Sequence, residues 1–125
     1  MEKVLNKKYY VYIILCDNDS YYTGITNNLI NRFKKHKNGN GANYTKVHKP
    51  IKFLCAWEVE NVSIALSIEH YIKSKNKNIK KLFIDNNRIL KTYFIREKKS
   101  IINNNSIKIR SINKLSIEKI NSIIY

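Results

Sequence analysis

The apolar positions of this chain fall into blocks of different rhythm. Tyr9 to Cys16 is an unbroken run of aromatic and branched aliphatic residues, which predicts a buried strand. Asp17-Asn18-Asp19 is turn material. Ser20 to Ile25 then predicts a second strand and closes a hairpin. Thr26 is placed to cap a helix running to about Lys37, its hydroxyl accepting an orphan backbone N–H. Asn38-Gly39-Asn40-Gly41 stops that helix and opens a loop through Pro50. Ile51 to Val59 reads as a third strand, Asn61 as the cap of a helix over about Val62 to Lys75, and Asn78 to Ile84 as a further short helix. Arg88 to Arg96 is a strand or a helix end. From Glu97 the chain cycles through Ile, Asn, Ser and Lys without clear period, a tail that either packs or is disordered. The order predicts an α+β domain over residues 1–96, a small three-stranded antiparallel sheet flanked by helices, with a basic C-terminal extension at 97–125.

Composition narrows the class. With 125 residues and 43% hydrophobic content, one domain with a modest core is expected. The two cysteines, Cys16 and Cys55, lie inside apolar runs and suit buried reduced thiols. No cysteine spacing suggests a metal knuckle. No apolar stretch approaches the roughly 20 residues of a membrane span, and no signal-peptide core stands at the start. The compartment expected is the cytoplasm.

Charge points to a partner. The net charge is +15. Residues 1–96 carry 18 Lys and Arg against 7 Asp and Glu, and the last 29 residues carry 6 against 2. The excess therefore belongs mainly to the domain. Such a balance favours a polyanion, nucleic acid ahead of a membrane surface. The bland alternative is a solubilising charge.

Several polar residues are placed where chemistry is feasible. With a three-residue turn, Ile14 faces Tyr22 and Tyr12 faces Gly24, so Tyr12 and Tyr22 become diagonal neighbours on one sheet face. Gly24 would leave open space over that face. Tyrosines also simply favour strands, and the chain has nine. Leu29, Arg32, Phe33 and His36 share one helix face at helical spacing. There Arg32 can offer a planar fork to a phosphate and His36 can relay a proton, or both snorkel from the core edge into water. Val62, Ala65, Ile68 and Ile72 form the inward face of the later helix, and Glu69 falls between Ala65 and Ile72. A carboxylate in an apolar stripe needs a cation, either a hard divalent ion or a salt bridge to Arg32 or a lysine. The loop from Asn40 to Lys46 can present Tyr44 and Lys46 to a backbone. The run Lys73, Lys75, Lys77, Lys80 and Lys81 can neutralise phosphates without reading bases. Trp57 reads as core, and His48 and His70 carry no role. A P-loop, a dinucleotide fingerprint and a Ser/His/Asp arrangement are all missing.

Taken in order, these pieces resemble the GIY-YIG nuclease superfamily, in particular its small stand-alone bacterial members. Val11-Tyr12-Ile13 stands for the first motif and Tyr22-Thr23-Gly24 for the second. Gly24 through Asn31-Arg32-Phe33 to His36 resembles the helix with arginine and histidine. Gly39 with Gly41 to Thr45 resembles the loop of the stand-alone branch, and Ala65-Leu66 through Glu69 to Ile72-Lys73 the helix bearing the metal-binding glutamate. The likeness covers roughly Tyr9 to Ile84. Val11 replaces the motif glycine, Lys75 stands where an apolar residue is more usual, and the tail has no counterpart.

The resemblance implies a metal-dependent endonuclease acting on DNA, with structure-specific repair or recombination work as one role. It implies Tyr12, Tyr22, Arg32, His36 and Tyr44 as the catalytic set, Glu69 as ligand of one divalent ion, Mg²⁺ or Mn²⁺, and Lys35, Lys46, Lys73 and Lys77 as nucleic-acid contacts. In that scheme Tyr12 is the base for water, aided by His36, Arg32 steadies the phosphorus, and Tyr22 orients water or phosphate. A non-catalytic nucleic-acid-binding module and a nuclease subunit dependent on a protein partner are the alternatives.

Overall fold

The computed structural model describes residues 8–98 and 107–124. Strand β1 (Tyr9–Cys16) and strand β2 (Tyr21–Thr26) form the hairpin, followed by helices α1 (Leu29–Lys37) and α2 (Asn43–Val47). Strand β3 (Pro50–Val59), helices α3 (Val62–Lys73), α4 (Lys77–Asp85) and α5 (Ile89–Lys98), strand β4 (Ile109–Ser111) and helix α6 (Lys114–Ile124) complete it. The α+β class holds, but the sheet has four antiparallel strands in the order β2-β1-β3-β4, not three. The fourth is a three-residue strand from the extension, too short to show alternation. A distant partner holds it. Arg110 opposite Glu58 donates to its carboxylate at 2.7 Å, and Lys8 does so at 3.0 Å. These cations hold the Glu58 carboxyl down at about 2.

The hairpin register is the expected one, Tyr12 opposite Gly24 and Ile14 opposite Tyr22. The three-residue turn ends on Asp19 at φ 64°, the left-handed position such a loop requires. Strand β1 is continuously apolar because both faces are covered. Val11 and Ile13 point into a core with Trp57, Ala65, Ile68, Ile72, Phe83 and Phe94. Tyr12 and Ile14 point into a second core with Leu29, Phe33, Phe53, Ile112 and Ile117. A bulge at the β1–β3 ladder shifts pairing from Ile13–Cys55 to Ile14–Phe53. That extra residue turns Phe53 to the Tyr12 side, where its ring meets Tyr12 edge-on at 5.4 Å.

Asparagines cap four of the described helices, Asn113 doing so for α6 through Ser116 N–H at 2.8 Å. The Asn28, Asn61 and Asn76 side chains accept from the N–H three residues on, each contributing about 1 kcal/mol. Asn28, not Thr26, caps α1; the Thr26 hydroxyl instead binds the Asn28 backbone. Residues 89–98 are helix, which settles the open choice between strand and helix end. Val62, expected inward, is 41% exposed at the first turn of α3. Trp57 is core, its Nε1 donating to the Asn87 carbonyl at 2.7 Å. Lys75 lies over the Tyr71 ring and pairs with Glu97, so its stem covers core and its head stays wet.

The described part of the extension packs. Helix α6 lies on β3 and α1 and supplies Ile117 to the second core. Its Asn121 side chain accepts from Phe53 N–H at 2.9 Å and donates to Phe53 C=O at 3.0 Å. Both cysteines are buried and free. Among the described residues no helix is long and apolar enough to cross a membrane.

Candidate active site

Tyr12, on the central strand β1, sends its ring toward α1. Its Oη lies 2.8 Å from His36 Nε2 and 3.4 Å from Arg32 Nε. Tyr12 is fully buried and His36 is 1% exposed. The alternative of His36 snorkelling into water is therefore overturned, while Arg32 is half-buried. Arg32 and His36 stand one turn apart on α1, so one helix face grips both sides of the phenol. Burial pushes the Tyr12 hydroxyl well above its ordinary value despite the adjacent Arg32. Burial and the neighbouring guanidinium push His36 down to about 4, leaving a neutral imidazole at pH 7.

Tyr22 completes the wall. Its ring lies 6.4 Å from Tyr12 and 5.2 Å from His36, edge-on to the latter. Tyr44 stacks on Tyr22 at 6.0 Å and is 38% exposed at the rim. The Tyr44 hydroxyl donates to Ser20, and His48 tilts against its ring at 4.8 Å. Gly24 does not leave open space. A Cβ there would meet the Tyr12 hydroxyl and lie 2.7 Å from its Cζ, so the Tyr12 ring fills the gap.

Glu69 comes from α3, beside the edge strand β2. Its side chain is 19% exposed and its carboxylate lies 3.3 Å from Lys73 Nζ. Lys73 in turn sits 5.8 Å from the Tyr22 ring. The negative charge of Glu69 reaches Tyr12 and adds to the rise of its pKa. Among the described residues no group of three or more His, Cys, Asp and Glu gathers to hold a metal. The donor set is one hard carboxylate, which fits an ion that keeps its waters and binds substrate phosphate.

Of the other lysines, Lys35 is exposed on α1 and lines an open groove of about 530 Å³ with Arg32, Asn28, Asn31 and Tyr9. Lys46 is exposed on α2. Lys77 is drawn to the hairpin turn, where it donates to the Asp19 carbonyl at 2.7 Å. His70 is exposed.

Two contributors escaped the sequence reading. Thr45 is 1% exposed, and its hydroxyl lies 2.7 Å from His36 Nδ1. Gly41 lies so close to the same ring that a Cβ would meet Nδ1 and come within 2.9 Å of Cγ. The available signal was a small residue and a hydroxyl flanking Tyr44 in a loop otherwise exposed.

A phenol lies in contact with a guanidinium and a neutral imidazole, with a carboxylate nearby and a basic groove alongside, a set of groups with the chemistry to meet a phosphate ester. A model of the GIY-YIG catalytic domain matches residues 8–82, and the chain belongs to this family. GIY-YIG domains are typically endonucleases; they act on nucleic acid and usually use a divalent metal ion.

Relatives agree. A UPF0213 protein of Clostridium perfringens is 42% identical over 88 residues, covering 70% of this chain and 95% of its own. One from Limosilactobacillus reuteri is 40% identical, covering 63% and 84%. The solution NMR structure of a UPF0213 protein from Bacillus halodurans is 32% identical, covers 62% of this chain and 83% of its own, and has a TM-score of 0.42.

Proposed function

We propose that this protein is a metal-dependent endonuclease that hydrolyses phosphodiester bonds, in DNA in preference to RNA, with branched, nicked or single-stranded forms as favoured substrates. The observation that carries it is the Tyr12–His36 contact of 2.8 Å beside Arg32. A phenol is a poor base at neutral pH, and burial makes its phenolate costlier still. A resident phenolate is therefore disfavoured. The neutral His36 removes that obstacle. As water attacks phosphorus, its proton passes to Tyr12 Oη while the phenolic proton passes to His36 Nε2, so no isolated phenolate forms.

Arg32 has a second task. Its contact to Tyr12 is long, and a phosphate offers the guanidinium a charge-assisted bidentate partner. Substrate thus draws Arg32 off the phenol, uncovers Oη, and gains a fork that steadies the developing charge. Tyr22 and Tyr44 form the apolar-faced wall against which the phosphate or water is oriented. Glu69 would hold the ion. When bound, a divalent ion there supplies polarisation of the phosphate and charge neutralisation at the leaving oxygen. Lys35 and Arg32 in the adjoining groove, with Lys46, Lys73 and Lys77, meet the backbone without reading sequence.

A second reading, a binding module or a partner-dependent nuclease subunit, is favoured by one observation: Tyr12 has no exposed surface. The two separate in a cleavage assay on end-labelled single-stranded, duplex and flap DNA and on RNA, with Mg²⁺, Mn²⁺ or chelator. Metal-dependent products support the nuclease. Binding without products, with every ion, supports the module.

A further inference from the structure

Thr45 Oγ1 lies 3.0 Å from the Ala42 carbonyl and 2.7 Å from His36 Nδ1. The Ala42 carbonyl also takes the Thr45 and Lys46 amides, and as a carbonyl only accepts, the Thr45 hydroxyl bonds it only by donating. With the hydroxyl proton placed there, the contact to His36 is Nδ1–H donating to Thr45. That leaves Nε2 as a bare lone pair. On the other side, Tyr12 Oη receives Arg32 Nε–H, because a guanidinium offers no acceptor. The phenolic proton is thereby free to point at His36 Nε2. All protons in the chain run one way, from Arg32 through Tyr12, His36 and Thr45 to Ala42.

We propose that Thr45 is a positioning residue that fixes the His36 proton on Nδ1 and so equips Nε2 to take the Tyr12 proton. The reverse arrangement shows what it prevents. With the Thr45 proton turned to Nδ1, the histidine would carry its own on Nε2 and donate to Tyr12. His36 would then offer Oη a donor in place of an acceptor, and once substrate draws Arg32 away the phenolic proton would still have no base to receive it. The loop is built for the productive arrangement. Thr45 is fully enclosed, and Gly41 lets the chain approach the imidazole more closely than any side chain would allow. The imidazolium formed in the relay keeps its Nδ1–H bond to Thr45, so proton transfer requires no rearrangement on that side.

The catalytic part of this inference rests on the nuclease reading; the tautomer does not. The test therefore has two readouts on the full chain. Long-range ¹H–¹⁵N spectra at neutral pH, without metal, report which nitrogen of His36 is protonated. Wild type is expected to show the proton on Nδ1, and Thr45→Ser to keep it there. Thr45→Val is expected to move His36 to a mixture or to Nε2–H. On the best DNA substrate, Thr45→Val should lower kcat by roughly 10- to 100-fold with KM little changed, and Thr45→Ser should restore it. A wild-type His36 protonated on Nε2 overturns the proposal, as does a Thr45→Val protein that keeps full kcat. Should Thr45→Val fail to fold, the wild-type and Thr45→Ser spectra still decide the tautomer. Nδ1–H in a wild type that cleaves nothing would sink the nuclease reading while the tautomer assignment stood.

Discussion

Tyr12 Oη and His36 Nε2 stand 2.8 Å apart in a pocket where neither residue keeps more than 1% of its surface. One comes from the central strand and the other from the helix over it, so the pair exists only in the folded domain. Its burial is also what keeps His36 neutral.

Stability should therefore fall with acid in a defined window. His36 is held down to about 4 by burial and by Arg32, against an ordinary value of 6.5. Below pH 6.5 the unfolded chain takes up a proton that the folded chain refuses, so the contribution is whole above 6.5 and lost as pH falls toward 4. It amounts to at most about 3 kcal/mol. Glu58 acts lower, between its ordinary 4.5 and about 2. Denaturant melts of wild type and His36→Gln across pH 4–7 check this; the variant should lose the slope between 6.5 and 4.5.

Asn121 ties the extension to the base of the site. Asn121→Ala leaves Phe53 N–H and C=O without their partner beneath Tyr12, a loss of roughly 1–2 kcal/mol. Deleting residues 107–125 should cost far more, because Ile112 and Ile117 leave the second core with it. Thermal melts measure both. An unchanged melting temperature in the deletion would show that the extension is only an appendage.

Thr23 offers a gain instead. Its hydroxyl is buried and makes no hydrogen bond among the described residues. Thr23→Val keeps the shape and removes the unpaired group, which should stabilise the domain by about 1 kcal/mol with cleavage intact.

Lys35 should act on binding alone. Lys35→Ala removes one exposed cation from the groove beside Arg32. Affinity for DNA of any sequence should drop, and the slope of log affinity against log salt should fall by about one. A sequence-dependent loss would mean that Lys35 reads bases.

The sequence carried the site further than it carried the sheet. Tyr12, Tyr22, Arg32 and His36 lie on elements whose periodicity is local, and a three-residue turn sets the register between the tyrosines. Strand and helix geometry allows their convergence, but on pattern alone tyrosines simply favouring strands and Arg32 and His36 snorkelling stood beside it, and the resemblance joined the pieces. The fourth strand depends on Glu58 meeting Arg110 from 52 residues away, a contact with no local signature. Gly24 was misread for a related reason. Its missing side chain is visible in the sequence, but the Tyr12 ring that fills the space belongs to the neighbouring strand. Thr45 was hidden because one hydroxyl in a polar loop looks like any other until Gly41 brings it to the imidazole.

The most direct test compares single-turnover cleavage by wild type, Tyr12→Phe and Glu69→Ala, purified in parallel, with DNA binding measured on the same preparations. The predicted result is metal-dependent cleavage by wild type, a loss of about 100-fold or more in each variant, and near-equal binding by all three. Equal cleavage by wild type and Tyr12→Phe, or binding by wild type with no cleavage under any ion, would contradict the account.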